Sequence, residues 1–189
     1  HMSDVTFDLE KNDMIVHNNT SERWKVTLVD TGYSTMTGGR VRRVRNYIGD
    51  EPFMLTYGDG VSTVDIPALL KFHEKHGKIA TITTVNVEQR FGVIDIESDG
   101  TISSFREKAK EDGTVINGGF MVMNPGIFDY LDGDDTVLEK EPLERLAQDG
   151  QLMAYHHHGF WKCMDTQRDK KFLEELLEAG KAPWKTWDD

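Results

Sequence analysis

Two carboxylates are placed where they could hold a metal ion. Asp59 sits between Gly58 and Gly60, directly after the apolar run Phe53-Met54-Leu55-Thr56-Tyr57; Asp165 lies far along the chain in Met164-Asp165-Thr166. A buried strand that stops at a glycine turn lifts its last polar residue to the sheet's carboxyl edge, where ligands bind in α/β proteins. Two hard oxygen ligands suit Mg²⁺, which keeps positions open for water and substrate phosphates. Plainer readings stand beside these. Gly58-Asp59-Gly60 also fits a tight turn whose glycines supply positive φ, and Asp165 or Thr166 fits the N-cap of a following helix.

Three other groups could meet a phosphorylated ligand. Glu107-Lys108 ends a strand, pairing an acceptor for sugar hydroxyls with a point cation for phosphate. Asn117-Gly118-Gly119 interrupts a neighbouring strand, as glycines do where a ligand or another backbone comes close. The loop Thr31 to Arg40 brings hydroxyls, glycines and a cation to a helix N-terminus, a natural anion site. An exposed charge pair, a bulge and an ordinary helix lead-in are the alternatives. His156-His157-His158 does not converge on a metal, because neighbouring strand residues point to opposite faces. Cys163 is read as a packing residue, and Trp184 and Trp187 as docking or interface anchors.

The elements that must position these groups follow from pattern. Short strands at 5–10 and 13–18 flank Lys11-Asn12-Asp13. A strand is expected at 25–30, and a helix carrying Val41, Val44 and Ile48 on one stripe. Strand 53–57 leads to the Asp59 turn, and a helix at 65–76 has Asp65 as N-cap and Gly77 as its stop. A β-branched strand at 79–85 and a hairpin about Ser98-Asp99-Gly100 come next, followed by a strand at 115–123. Helices are expected near 125–131 and 139–149, a strand at 152–156, and a last helix at 167–179 with Phe172, Leu173, Leu176 and Leu177 on its core face. Alternating strands and helices with one inserted hairpin predict one α/β domain over residues 1–189, with a mixed, mostly parallel sheet flanked by helices.

The 189 residues carry a net charge of -11 and no long Lys/Arg block, which argues against a nucleic-acid partner. No apolar run is long enough to span a membrane, and no signal peptide is visible. The single cysteine is compatible with a reducing compartment, so a cytoplasmic location is expected.

Taken in order, these pieces resemble the sugar-phosphate nucleotidylyltransferases, most closely those of the cytidylyltransferase type. The resemblance rests on Val29-Asp30-Thr31-Gly32, Met36 to Arg40, Thr56 to Gly60, Arg90-Phe91-Gly92, Phe105 to Lys108, Ile116 to Phe120, Gly159-Phe160-Trp161, Met164-Asp165-Thr166 and Lys181-Ala182-Pro183-Trp184. It implies a Rossmann-like nucleotide-diphospho-sugar transferase fold. It also implies transfer of a cytidylyl group from CTP to α-D-glucose 1-phosphate, giving CDP-glucose and pyrophosphate. On this resemblance Asp59 and Asp165 are the Mg²⁺ ligands, and Thr35, Arg40 and Gly58 contact CTP. Glu107, Lys108, Asn117 and Gly118 form the sugar-phosphate site. The family opens with a strand and a glycine-rich loop bearing a Thr-Arg pair, then a lysine, and none of these is found here. The expectation is therefore an N-terminally truncated form with little activity alone, and a homo-oligomer. A nucleotide-sugar-dependent glycosyltransferase and a non-catalytic binding or oligomerising module are the alternatives.

Overall fold

The computed structural model describes residues 4–17, 24–87, 93–96, 98, 101–106 and 114–187. The chain divides into two units, His1–Thr31 and Gly32–Asp189.

In the first unit β1 (Val5–Asp8) pairs antiparallel with β2 (Asp13–Val16), with Val5 opposite Val16 and Phe7 opposite Met14. Strand alternation puts those four side chains on one face, with Thr6, Asp8, Asp13 and Ile15 on the other. Asn12 takes the left-handed conformation at φ 52°, and Asp8 Oδ1 accepts the N–H groups of Glu10 and Lys11 at 3.1 Å each, closing the turn. The apolar face is exposed, Phe7 to 66%. Residues 25–30 correct the sequence expectation: they form no strand, and Val26 and Leu28 point into solvent. Their composition suits a strand, but β structure needs a ladder, and none is made to them among the described residues.

The second unit is built on a sheet in the order β3 (Phe53–Leu55), β8 (Thr114–Met123), β5 (Ala80–Val87), β9 (Leu152–His157). β8 runs antiparallel to both β3 and β5, and β5 runs parallel to β9. Thus β3, β5 and β9 share one direction and β8 opposes them, giving the expected mixed α/β sheet flanked by helices. Met121 and Met123 project from one face of β8 into a core with Ala80, Ile127, Phe128, Leu138 and Leu146, while Val122 is buried on the other face. Each of these side chains larger than alanine contributes roughly 1.5–3 kcal/mol through removal from water.

α3 (Ile66–His76) follows its sequence signals. Asp65 accepts the Ala68 N–H at 2.9 Å, and Gly77 ends the helix in the left-handed conformation. Leu69 is fully buried, and a polar seam joins the helix to β5. His76 Nδ1 accepts the Lys78 N–H at 2.9 Å, so its Nε2 carries the proton and donates to Thr81 Oγ1 at 2.7 Å. The Thr81 hydroxyl is then free to donate to His73 Nδ1 at 2.8 Å. Burial lowers the His76 pKa from its ordinary value, with His73 and Lys78 adding to the shift.

The remaining elements differ from expectation in detail. The arginine-rich helix begins earlier, as α1 (Thr37–Arg43), and breaks at Val44 before α2 (Arg45–Ile48). The segment after Asn124 is a 3₁₀ helix, Pro125–Tyr130, and α4 covers Glu141–Gln148. β6 (Val93–Ile96) and β7 (Ile102–Arg106) make the expected hairpin. α5 (Gln167–Glu178) buries only Asp169; Phe172 and Leu177 are 43% and 50% exposed, so its apolar stripe is not the core face anticipated. Two strands were not anticipated at all: β4 (Gly60–Ser62) and β10 (Trp161–Cys163), which pair antiparallel outside the main sheet.

Candidate active site

The β4–β10 ladder assembles the site. Gly60 stands opposite Cys163, and one step further the Met164 N–H donates to the Asp59 carbonyl at 2.8 Å. Asp59 and Asp165 consequently line one cavity of about 270 Å³, together with Tyr57, Asn117, Gly118, Gly119 and Trp161.

The plainer readings hold in part: residues 58–59 do form a turn, and Thr166, one of the two residues expected as N-cap, caps the next helix. Neither Gly58 nor Gly60 adopts the left-handed conformation. A Cβ at either would meet nothing within 4 Å, so the fold itself makes no demand for glycine there. The bare backbone leaves room for another molecule to lie against it. Nor is Asp165 a helix cap. That role falls to Thr166, whose hydroxyl accepts the Asp169 N–H at 3.2 Å while Asp169 Oδ2 accepts the Thr166 N–H at 3.1 Å, a complete capping box. Asp169 also pairs with Lys162 of β10, which fixes α5 to the strand just before Asp165. Hydrogen bonds from Lys162 and Thr166 pull the Asp169 carboxyl down to about 2. Asp165 itself accepts the Cys163 thiol at 3.1 Å. Burial and that carboxylate push the Cys163 thiol up, so it stays a protonated donor, in keeping with a packing role.

The opposite wall is the β8 bulge at Asn117-Gly118-Gly119, where the register with β5 shifts. Gly118 and Gly119 are required here by the fold. A Cβ at Gly119, which has φ +83°, would stand 2.6 Å from Tyr57 Cδ2; one at Gly118 would press on Val85 and the Thr83 carbonyl. Asn117 Oδ1 accepts the Gly119 N–H at 2.9 Å, and the Trp161 indole N–H donates to the Gly118 carbonyl at 2.8 Å.

Thr35 and Arg40 are not among the residues lining this cavity. Thr35 is buried, and Arg40 donates to the Tyr33 carbonyl at 3.2 Å. The anion site expected at the start of α1 is already taken by the protein. The Gly38 and Gly39 N–H groups donate to the Thr136 carbonyl at 2.9 and 3.2 Å, and Met36 N–H donates to Asp134 at 2.8 Å. These two glycines serve close packing: a Cβ on Gly39 would sit 2.5 Å from the Asp134 carbonyl oxygen. Arg43 adds a bidentate bond to the Asp134 carboxylate, at 2.9 and 2.6 Å. Gly58 lines a second, mainly apolar cavity of about 210 Å³ against Leu173, Leu177 and Trp184, which shares Asp59 with the first. Glu107 and Lys108 lie outside the described residues. Sequence reasoning missed Glu139, whose carboxylate accepts the Tyr57 hydroxyl at 2.5 Å and the Thr37 hydroxyl at 2.7 Å.

A profile of the nucleotidyl transferase family matches residues 13–187. The chain belongs to the nucleotidyl transferase family. Among its relatives, the glucose-1-phosphate cytidylyltransferases of Salmonella typhi and Salmonella typhimurium are each 57% identical over all 189 residues, and the chain spans 73% of their length. The crystal structure of HddC from Yersinia pseudotuberculosis superposes with a TM-score of 0.58 at 21% identity, over 77% of this chain and 64% of that one, a likeness of fold. As a member of this family the chain stands apart from the glycosyltransferases that its pair of carboxylates also allowed. Among the described residues no helix is long and apolar enough to cross a membrane. No cluster of three or more His, Cys, Asp or Glu residues suited to a metal is found there either. Asp59 and Asp165 line one cavity, and two carboxylates would suit a Mg²⁺ whose other ligands are water and phosphate oxygens.

Proposed function

We propose that this nucleotidyl transferase moves a cytidylyl group from CTP to α-D-glucose 1-phosphate, giving CDP-glucose and pyrophosphate, with Mg²⁺ held by Asp59 and Asp165. The observation that carries the reading is the single cavity lined by both carboxylates and by Asn117 and Gly118. The choice of CTP and glucose 1-phosphate is supported by the names of the Salmonella relatives. Mg²⁺, when bound, neutralises charge on the triphosphate.

The chain's own residues orient and exclude. Asn117 and Gly118 form the side on which the sugar phosphate rests; Glu107 and Lys108 are proposed to bind the same substrate. The bare backbone of Gly58 lies against the nucleotide, whereas Thr35 and Arg40, which do not line the cavity, are given no contact with it. A sugar-phosphate oxygen bonds to the α-phosphorus in line as the bond to the β-phosphate oxygen breaks, and pyrophosphate leaves with that electron pair. Reactions of this kind depend on alignment and on charge stabilisation more than on covalent participation by side chains. The acting species is a homo-oligomer in the cytoplasm.

The test is calorimetry of the 189-residue chain with glucose 1-phosphate and CDP-glucose, with and without Mg²⁺, beside an assay of pyrophosphate release from CTP, UTP and dTTP. Mg²⁺-dependent binding of CDP-glucose and preference for CTP are expected. A chain that binds neither sugar compound at millimolar concentration and releases no pyrophosphate ends the reading.

A further inference from the structure

We propose that Glu139 is a positioning residue that acts through Tyr57 to hold the Asn117–Gly119 wall of the cavity. The inference rests on reading that wall as a sugar-phosphate site. Glu139 lies on the segment before α4 and lines no cavity described above, yet both of its carboxylate oxygens are engaged. Oε1 takes the Tyr57 hydroxyl and Oε2 takes the Thr37 hydroxyl. Thr37 Oγ1 in turn accepts the Leu138 N–H at 2.9 Å, so the acceptor is anchored to its own backbone as well as to α1.

From Tyr57 the chain of contacts continues into the site. The Asn117 side-chain oxygen accepts the Gly119 N–H at 2.9 Å. The ring of Tyr57 lies where a Cβ on Gly119 would stand. Tyr57 is thus fixed at its hydroxyl by Glu139 and presses with its ring on the bulge, while Trp161 holds the bulge from Gly118. A tyrosine free to turn about χ1 would take its ring off the Gly119 backbone. Burial, and then Glu139, raise the Tyr57 pKa, so the hydroxyl remains a donor throughout the neutral range.

Three variants separate the parts of this claim. Glu139→Ala removes the acceptor, Glu139→Gln keeps an acceptor oxygen without the charge, and Tyr57→Phe keeps the ring without the hydroxyl. Two measurements are made on each, after circular dichroism has established that it is folded. Hydrogen exchange of the Gly119 amide, followed by NMR without any ligand, is expected to accelerate about tenfold in Glu139→Ala and Tyr57→Phe, and to stay within about threefold of wild type in Glu139→Gln. Glucose 1-phosphate affinity is expected to follow the same order. Should Glu139→Ala not fold, Tyr57→Phe against Glu139→Gln carries the comparison. Unchanged Gly119 exchange in Tyr57→Phe overturns the proposal, as does changed exchange with unchanged sugar-phosphate affinity. A wild-type chain that does not bind glucose 1-phosphate refutes the function proposed for the site, and Gly119 exchange alone then decides whether Glu139 acts through Tyr57.

Discussion

The amide of Met164 donates to the carbonyl of Asp59 at 2.8 Å, joining backbone more than 100 positions apart and continuing the β4–β10 ladder by one step. This bond brings Asp165 to the edge of the cavity that Asp59 lines. The two carboxylates do not depend on each other for the fold: both are exposed. Asp59→Asn and Asp165→Asn are therefore expected to leave the circular dichroism spectrum and the melting temperature close to wild type. If both hold the metal as proposed, each should weaken Mg²⁺ binding by more than about tenfold, because each would remove one charged oxygen ligand. Loss of fold in either variant would show that the carboxylate is structural.

Asp169 gives the opposite expectation. Its carboxyl, ordinarily near 3.8, titrates at about 2 because of Lys162 and Thr166. A depressed carboxylate adds stability above the unfolded value, and that stability is lost as pH falls through the folded one. Acid unfolding followed between pH 4 and pH 2 should show this loss, and Asp169→Asn should flatten the dependence in that window while lowering the melting temperature at neutral pH. An unchanged slope would mean that the Lys162 pair contributes nothing to folding.

Gly39 sets helix propensity against packing. It lies inside α1, where alanine is intrinsically better by about 1 kcal/mol. Yet an added Cβ would stand 2.5 Å from the Asp134 carbonyl oxygen and 2.7 Å from its Cα. Neither atom belongs to a flexible side chain, so packing wins, and Gly39→Ala should destabilise by about 2–3 kcal/mol in denaturant titration. Gly49→Ala is the control for backbone strain alone: φ is +76° and ψ -148°, a conformation largely reserved for glycine, with nothing within 4 Å of an added Cβ, and about 1–3 kcal/mol is expected.

Much of this could be read from the chain, and the failures have identifiable causes. α3 was legible end to end because its cap, its stop and its buried Leu69 are local signals. β5 and β8 were legible as strands, and the Asn117-Gly118-Gly119 interruption as a bulge, because β-branched runs and mid-strand glycines report on their own backbone. The segment 25–30 had the right composition for a strand, but pairing depends on what lies beside it, which composition does not encode. β10 is three residues long, too short to leave a period, and its partner lies about 100 positions away. The glycines flanking Asp59 were legible as a turn; that they do not need positive φ required the backbone angles. The tie between Tyr57 and Glu139 spans 82 positions, and nothing local in either residue announces the other.

The β1–β2 hairpin has a consequence for how the chain behaves in solution. Val5, Phe7, Met14 and Val16 make one uncovered apolar face on a two-stranded ribbon. The chain's net charge of -11 keeps copies apart at low ionic strength. Added salt shortens that repulsion to about 10 Å at 0.1 M, below the reach needed to hold apolar faces from touching, and it does not weaken the attraction between them. Self-association of the chain is therefore expected to rise with added salt, the reverse of proteins joined by ion pairs, and light scattering across a sodium chloride series reads this directly.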